Sequence, residues 1–102
     1  AVRAIHVAES LQGYVYDIVA ATRASADVAL GASPRAALAL VVATQAAAYL
    51  DGRTFATPDD VKDVAAMVLA HRIIIRPEAE LDGTTADDVI ARILSSVRAP
   101  EE

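Results

Sequence analysis

An arginine at the opening of an apolar helix is the residue in this sequence best placed to act on another molecule. Residues 31–35 read Gly-Ala-Ser-Pro-Arg. Gly31 and Ala32 break the preceding segment, Ser33 is a capping residue type, and Pro34 suits a first turn that tolerates a missing N–H. Arg35 then stands beside the positive end of the helix dipole, where a cation is mildly disfavoured and an anion is welcome. Two readings of it stand at this point. One is a structural ion pair with Asp27, Glu78 or Glu80; the other is a contact with a phosphate, shared between the guanidinium fork and the helix end. The paired acids Asp59-Asp60 and Asp87-Asp88 have the residue types for acid–base work. Each pair follows a threonine (Thr57, Thr85) in a cap-and-acid pattern, and helix capping explains both pairs with one mechanism. His6 and His71 lie far apart in sequence and lack a close Cys or Glu partner at ligand spacing, so no metal site is expected. Ser33, Ser95 and Ser96 have no base in view. GxxxxGK[ST], GxGxxG and GxSxG are all missing from the 102 residues, so nothing here runs chemistry alone.

The elements that must position Arg35 follow from the spacing of apolar residues. Leu11, Val15, Ile18, Val19 and Thr22 fall on one face of a helix opening at Glu9 or Ser10, with Gly13 inside it as a mild penalty or a point of close approach. Ala24 to Leu30 is a connector whose Val28 and Leu30 are expected to tuck under the core. From Ala36 to Leu50 only Thr44 and Gln45 are polar. A helix so apolar around its circumference, running from Pro34 to about Asp51, is expected to be enclosed by other helices. Gly52 can end it in the left-handed conformation. Thr57-Pro58-Asp59-Asp60 opens a third helix with the stripe Val61, Val64, Ala65, Val68 and Leu69, and His71 and Arg72 meet its last carbonyls. Residues 73–75, Ile-Ile-Ile, read as extended and are candidates to pair with an extended lead-in at 4–7. Residues 76–84 read as a loop with a turn at Asp82-Gly83. Thr85 opens a last helix carrying Val89, Ile90, Ile93, Leu94 and Val97, and the end of the chain reads as a frayed tail. The expected fold is all-α: one compact four-helix bundle over residues 1–102, with short extended segments near 4–7 and 73–75.

Composition narrows the function classes. Hydrophobic residues make up 55% of the chain and aromatics only 4%, the balance of helices packed through small side chains. The net charge is −5 with nine scattered cations, whereas nucleic-acid binding needs a clustered basic face. No apolar run reaches the roughly 20 uninterrupted residues of a membrane span. Cysteine is absent, which removes disulfides and thiolate chemistry. The first residues lack the pattern of a signal peptide, so a cytoplasmic location is the expectation. Ala1 in place of an initiator Met fits a piece cut from a longer chain.

The motifs Gly31-Ala32-Ser33-Pro34-Arg35, Gly52-Arg53, Thr57-Pro58-Asp59-Asp60-Val61, His71-Arg72 and Pro77-Glu78-Ala79-Glu80-Leu81, in that order and spacing, resemble the C-terminal helical lid domain of AAA+ ATPases of the MoxR family. Tyr14, Ile18, Val19, Thr22 and Arg23 resemble that family's first lid helix, and the likeness runs from about residue 5 to 98.

The resemblance implies an upstream nucleotide-binding core domain absent from this chain, with ATP and Mg²⁺ held in the cleft between core and lid. It also implies that Arg35 is the sensor-two arginine reaching the γ-phosphate, with Gly31, Ala32, Ser33 and Pro34 lining the cleft. The implied work is chaperone-like, in protein maturation, metal insertion or complex assembly. The implied partners are neighbouring subunits of a ring, usually of six, and proteins with von Willebrand factor A domains. The Walker A and Walker B elements, sensor one and the arginine finger are missing, so the chain alone is expected neither to hydrolyse ATP nor to bind it tightly. The alternative is a free-standing, histone-fold-like helical interaction module with no nucleotide role. A long central helix and a following TPDDV helix suit that alternative, but the acidic balance and the Pro77–Leu81 segment do not.

Overall fold

The computed structural model describes residues 4–100. Helix α1 spans Glu9–Ala24 and is followed by the short strand β1, Val28–Leu30. The central helix α2 is Arg35–Leu50, and α3 is Pro58–Leu69. A 3₁₀ turn at Ala70–Arg72 leads into β2, Ile74–Ile75, and then into a five-residue helix α4, Pro77–Leu81, and α5, Ala86–Ser96. The four longer helices are those expected from the apolar spacing. Helix α4 replaces the expected loop, because Pro77 is pre-set for a first helical turn and Gly83, at φ 89°, closes the segment in the left-handed region.

Each long helix buries one stripe. Leu11, Tyr14, Val15, Ile18, Val19 and Thr22 of α1 meet Val61, Ala65 and Leu69 of α3 and Val89, Ile90 and Ile93 of α5 in one core. At about 1.5–3 kcal/mol per fully buried aliphatic side chain, these stripes supply the main stabilising contribution to the bundle. The expectation that α2 is enclosed is corrected. Only Ala36, Leu40, Thr44 and Ala48 are buried, while Leu38 is 67% exposed and Val42, Tyr49 and Leu50 are also open. The described helices cover only one side of α2. Leu30 is likewise exposed rather than tucked in, whereas Val28 is buried.

The extended segments pair differently from the expectation. β2 joins β1 in an antiparallel two-stranded sheet, with Val28 opposite Ile75 and Leu30 opposite Ile74. The lead-in instead bridges the loop after α2: His6 N–H donates to the Thr54 carbonyl (2.9 Å) and Ala56 N–H to the His6 carbonyl (2.9 Å). Gln45 donates to the Ile5 carbonyl at 3.0 Å. The lead-in thus has the 54–56 loop as its neighbour, and β2 has β1.

The turn between α2 and α3 is held by a charge clasp. Gly52 takes φ 77°, which sends Arg53 back over the start of α3. Its guanidinium donates to both carboxylate oxygens of buried Asp60, at 2.7 and 2.6 Å, and to Asp51 at 2.9 Å. Asp60 also accepts from the Thr57 N–H at 2.8 Å as part of a capping box. The Arg53 guanidinium, with the Thr57 bonds adding to it, holds the Asp60 carboxyl below the ordinary carboxylate range against the opposing effect of burial. A depressed folded-state pKa means that this stabilisation is present above the unfolded pKa and is lost as pH falls through the folded one. Urea unfolding is therefore expected to show stability dropping as pH goes below about 4, with Asp60→Asn removing part of that dependence and costing about 1–3 kcal/mol at neutral pH. Gly13 gives the opposite case. A Cβ there would meet nothing within 4 Å, so no close approach explains it, and Gly13→Ala should stabilise the chain by about 0.5–1 kcal/mol in the same measurement.

Candidate functional site

The segment before α2 is anchored on the last turn of α1 by contacts that the sequence does not announce. Thr22 lies on the buried stripe of α1, and its hydroxyl is fully enclosed. That hydroxyl donates to the Val19 carbonyl (2.6 Å) and accepts from the Ala32 N–H (2.9 Å). Arg23 donates to the Ala32 carbonyl at 2.9 Å. Both polar groups of the buried Ala32 peptide are thereby satisfied, as a buried backbone demands. Gly31 is required by space rather than by φ: a Cβ on it would lie 2.6 Å from the Arg23 Cα and 2.7 Å from its nitrogen. The signal available beforehand was Thr22 itself, since a hydroxyl on a buried stripe needs partners.

From this anchor the chain emerges into solvent at Ser33, Pro34 and Arg35, all exposed. Pro34 occupies the cap position, and no side chain caps α2, so Ser33 does not act through its hydroxyl. Its carbonyl instead accepts from the Ala36 N–H at 2.9 Å, and that of Pro34 accepts from Ala37 at 3.1 Å. The first turn is tightened, and two of the N–H groups expected to be free for an anion are used internally. An anion at this helix start would therefore be met chiefly by the Arg35 side chain. Arg35 is in none of the ion pairs formed among the described residues, and the Asp27 carboxylate is bonded by Arg92 at 2.6 Å. The structural-pair reading loses its first partner. Arg35 also heads a surface stripe: at helical spacing Leu38, Val42 and Tyr49 follow it on the exposed side of α2.

The remaining candidates are dispersed. Asp59 and Asp60 stand at the start of α3 and Asp87 and Asp88 at the start of α5, and Thr57 and Thr85 form complete capping boxes with Asp60 and Asp88. Arg72 donates to the Val68 carbonyl at the end of α3 (3.1 Å), as expected. Ser95 and Ser96 bond to the carbonyls of Ala91 and Ile93 within their own helix. No group of three His, Cys, Asp or Glu among the described residues is arranged to hold a metal ion, and no helix there is long and apolar enough to cross a membrane.

The anchor makes a sharp prediction. Gly31→Ala must displace backbone of α1 and should cost about 1–3 kcal/mol by overpacking, read as a lowered urea midpoint.

Comparison with known proteins agrees with this architecture. Residues 20–93 match the family model described as the AAA lid domain. The chain is 37% identical over 99 residues to the uncharacterized protein YeaC of Bacillus subtilis, covering 97% of this chain and 31% of that protein. It is 36% identical to the chaperone MoxR1 of Mycobacterium tuberculosis, covering 93% of this chain and 28% of the relative. The crystal structure of a putative ATPase from Cytophaga hutchinsonii superposes with a TM-score of 0.92 at 33% identity, over 98% of this chain and 33% of that one. This chain thus spans about a third of the length of these proteins. With the anchored GASPR segment, the stripe behind it and the family match in agreement, the chain belongs to the AAA lid domain family and is a MoxR-like AAA+ lid domain.

Proposed function

We propose that this lid serves a MoxR-like AAA+ ATPase with a chaperone-like role, and that Arg35 is its sensor-two residue. The observation that carries the reading is the position of Arg35. It is exposed, outside every ion pair among the described residues, and at the head of α2, on a segment braced against α1 at both polar groups of Ala32. A guanidinium held at a fixed helix start presents its fork to a phosphate with little reorganisation, and that preorganisation is the basis of transition-state charge stabilisation. On this reading Ser33, Pro34 and Arg35 face the nucleotide cleft, and Gly31 and Ala32 fix their position. The phosphate cradle and the Mg²⁺ ligands are supplied by the core domain, since this chain has no P-loop sequence.

The exposed stripe supports the same reading. Leu38, Val42 and Tyr49 follow Arg35 along α2, so a surface that brings a phosphate to Arg35 also covers apolar area. Nucleotide contact and domain apposition are then coupled through one rigid helix, and loss of the γ-phosphate releases the lid to rotate. Ring assembly with neighbouring subunits, and service to partners with von Willebrand factor A domains, belong to this reading. A histone-fold-like module would leave the free Arg35 and the α4 segment without a role.

The test is kinetic. In the full-length ATPase, Arg35→Ala is expected to lower kcat by about tenfold or more while shifting the unfolding free energy of the lid by less than about 0.5 kcal/mol, as for a surface substitution. A labelled ATP analogue with Mg²⁺ should bind the core domain more tightly when the lid is added, and the gain should vanish with Arg35→Ala. Normal turnover in the variant would make Arg35 structural. Tight nucleotide binding by the lid alone would place a phosphate site elsewhere in these residues.

A further inference from the structure

A second open surface lies on the other side of the small sheet. Strand β2 has β1 along one edge and no strand along the other among the described residues. A groove of about 570 Å³ is lined by Ile73, Ile74 and Ile75 on one wall and by Glu80 and Gly83–Ala86 on the other. Successive residues of an extended segment point to opposite faces, so a groove touching all three isoleucines runs along the open edge rather than over one face. The opposite wall is internally satisfied: Thr84 N–H donates to the Ala79 carbonyl (3.0 Å) and Thr85 is used in its capping box. The edge of β2 is therefore the wall with capacity left. Ile74 is 56% exposed beside it, and Leu81 on α4 is 88% exposed.

Acid predominates on the α4–α5 side of this groove, where Glu80 is part of the lining. Glu78, Glu80, Asp82, Asp87 and Asp88 are exposed, and no Lys or Arg occurs from residue 77 to 91. Of the flanking cations, Arg72 donates to the Val68 carbonyl (3.1 Å), Arg76 to the Ala26 carbonyl (3.0 Å) and Arg92 to Asp27 (2.6 Å), and Arg92 also lies close enough to Asp88 to favour its charged form. An apolar strand edge beside Glu78, Glu80, Asp82 and Asp87, none of which forms an ion pair among the described residues, suits an extended segment that alternates apolar and basic residues. Its backbone would add to the edge, one row of side chains would lie on the isoleucines, and the other would meet the acids.

We propose that the groove between β2 and the α4–α5 turn docks an extended, basic–apolar segment of a partner polypeptide by strand addition to β2. This docking does not rest on the nucleotide reading and uses none of the residues assigned to it.

The probe is a short fluorescein-labelled peptide in which Val and Lys alternate, titrated into the 102-residue chain by fluorescence anisotropy. It should bind saturably, with the matching Val–Glu peptide weaker by about tenfold or more through like-charge repulsion. A backbone N-methylated Val–Lys peptide, unable to donate to a strand edge, should also lose about tenfold, one anchor's worth of affinity. Ile74→Ser and Glu80→Lys alter exposed side chains and should each weaken binding several-fold, whereas Leu38→Ser on α2 should leave it unchanged. Equal affinity for the Lys and Glu peptides, or full binding by the N-methylated peptide, would overturn strand addition. So would binding unaffected by Ile74→Ser and Glu80→Lys together. A dimer in sedimentation that Ile74→Ser dissolves would also overturn the proposal, since the groove would then hold a second copy of the chain.

Discussion

A Cβ at position 31 would sit 2.6 Å from the backbone of Arg23, and the geometry of the segment leading into α2 depends on that closeness. Because Gly31 brings the two backbones together, the Ala32 peptide reaches the enclosed Thr22 hydroxyl and the Arg23 guanidinium at the same time. Buried hydrogen bonds that leave no group unsatisfied are costly to break, since each orphaned partner would carry its own desolvation penalty. The chain therefore leaves the core along a fixed line, and Arg35 starts α2 at a defined distance from α1. A site built on a loop is ordinarily imprecise. Here the loop is tied down at Ala32, three residues before the arginine proposed above to meet a phosphate.

Helix α2 carries two apolar stripes where a helix at the surface of an isolated domain would carry one. Its inner stripe, Ala36, Leu40, Thr44 and Ala48, consists mostly of small residues and lets α3 pack closely. Its outer stripe holds Leu38, Val42 and Tyr49 in the open. Covering side chains of that size is worth on the order of 1.5–3 kcal/mol each, comparable with a large part of the stability of a small domain. Such a surface is economical only when another body covers it. On the function proposed above, the body that covers it is the one that brings a phosphate to Arg35.

The acidic residues show how one residue type serves unlike ends. Asp60 and Asp88 are committed to caps, and Asp60 is further neutralised by the Arg53 fork. The Asp60 carboxylate is buried with both oxygens bonded, and Asp88 spends one oxygen on the Thr85 N–H. Glu78, Glu80, Asp82 and Asp87 are in no ion pair among the described residues and contribute a local negative field. On the docking proposal, these carboxylates would select a partner by charge over several ångströms, a long-range effect that salt weakens.

Local rules, written in short stretches of sequence, determined a great deal of this protein. The Thr57 and Thr85 capping boxes, the left-handed Gly52 and Gly83, the buried stripes of α1, α3 and α5, and the start of α2 after Pro34 all follow from interactions within a few residues. The ordered motifs around Arg35 also carried the family. The rest depended on contacts between distant parts of the chain. β2 pairs with β1 and the lead-in with the 54–56 loop, pairings between segments far apart in sequence that no single segment records. The Arg53–Asp60 clasp, the Thr22–Ala32 bond and the exposure of the outer α2 stripe belong to the same class. A periodic pattern shows which residues are apolar, but only the arrangement of the other helices decides which apolar face finds a partner within the chain and which is left for another molecule.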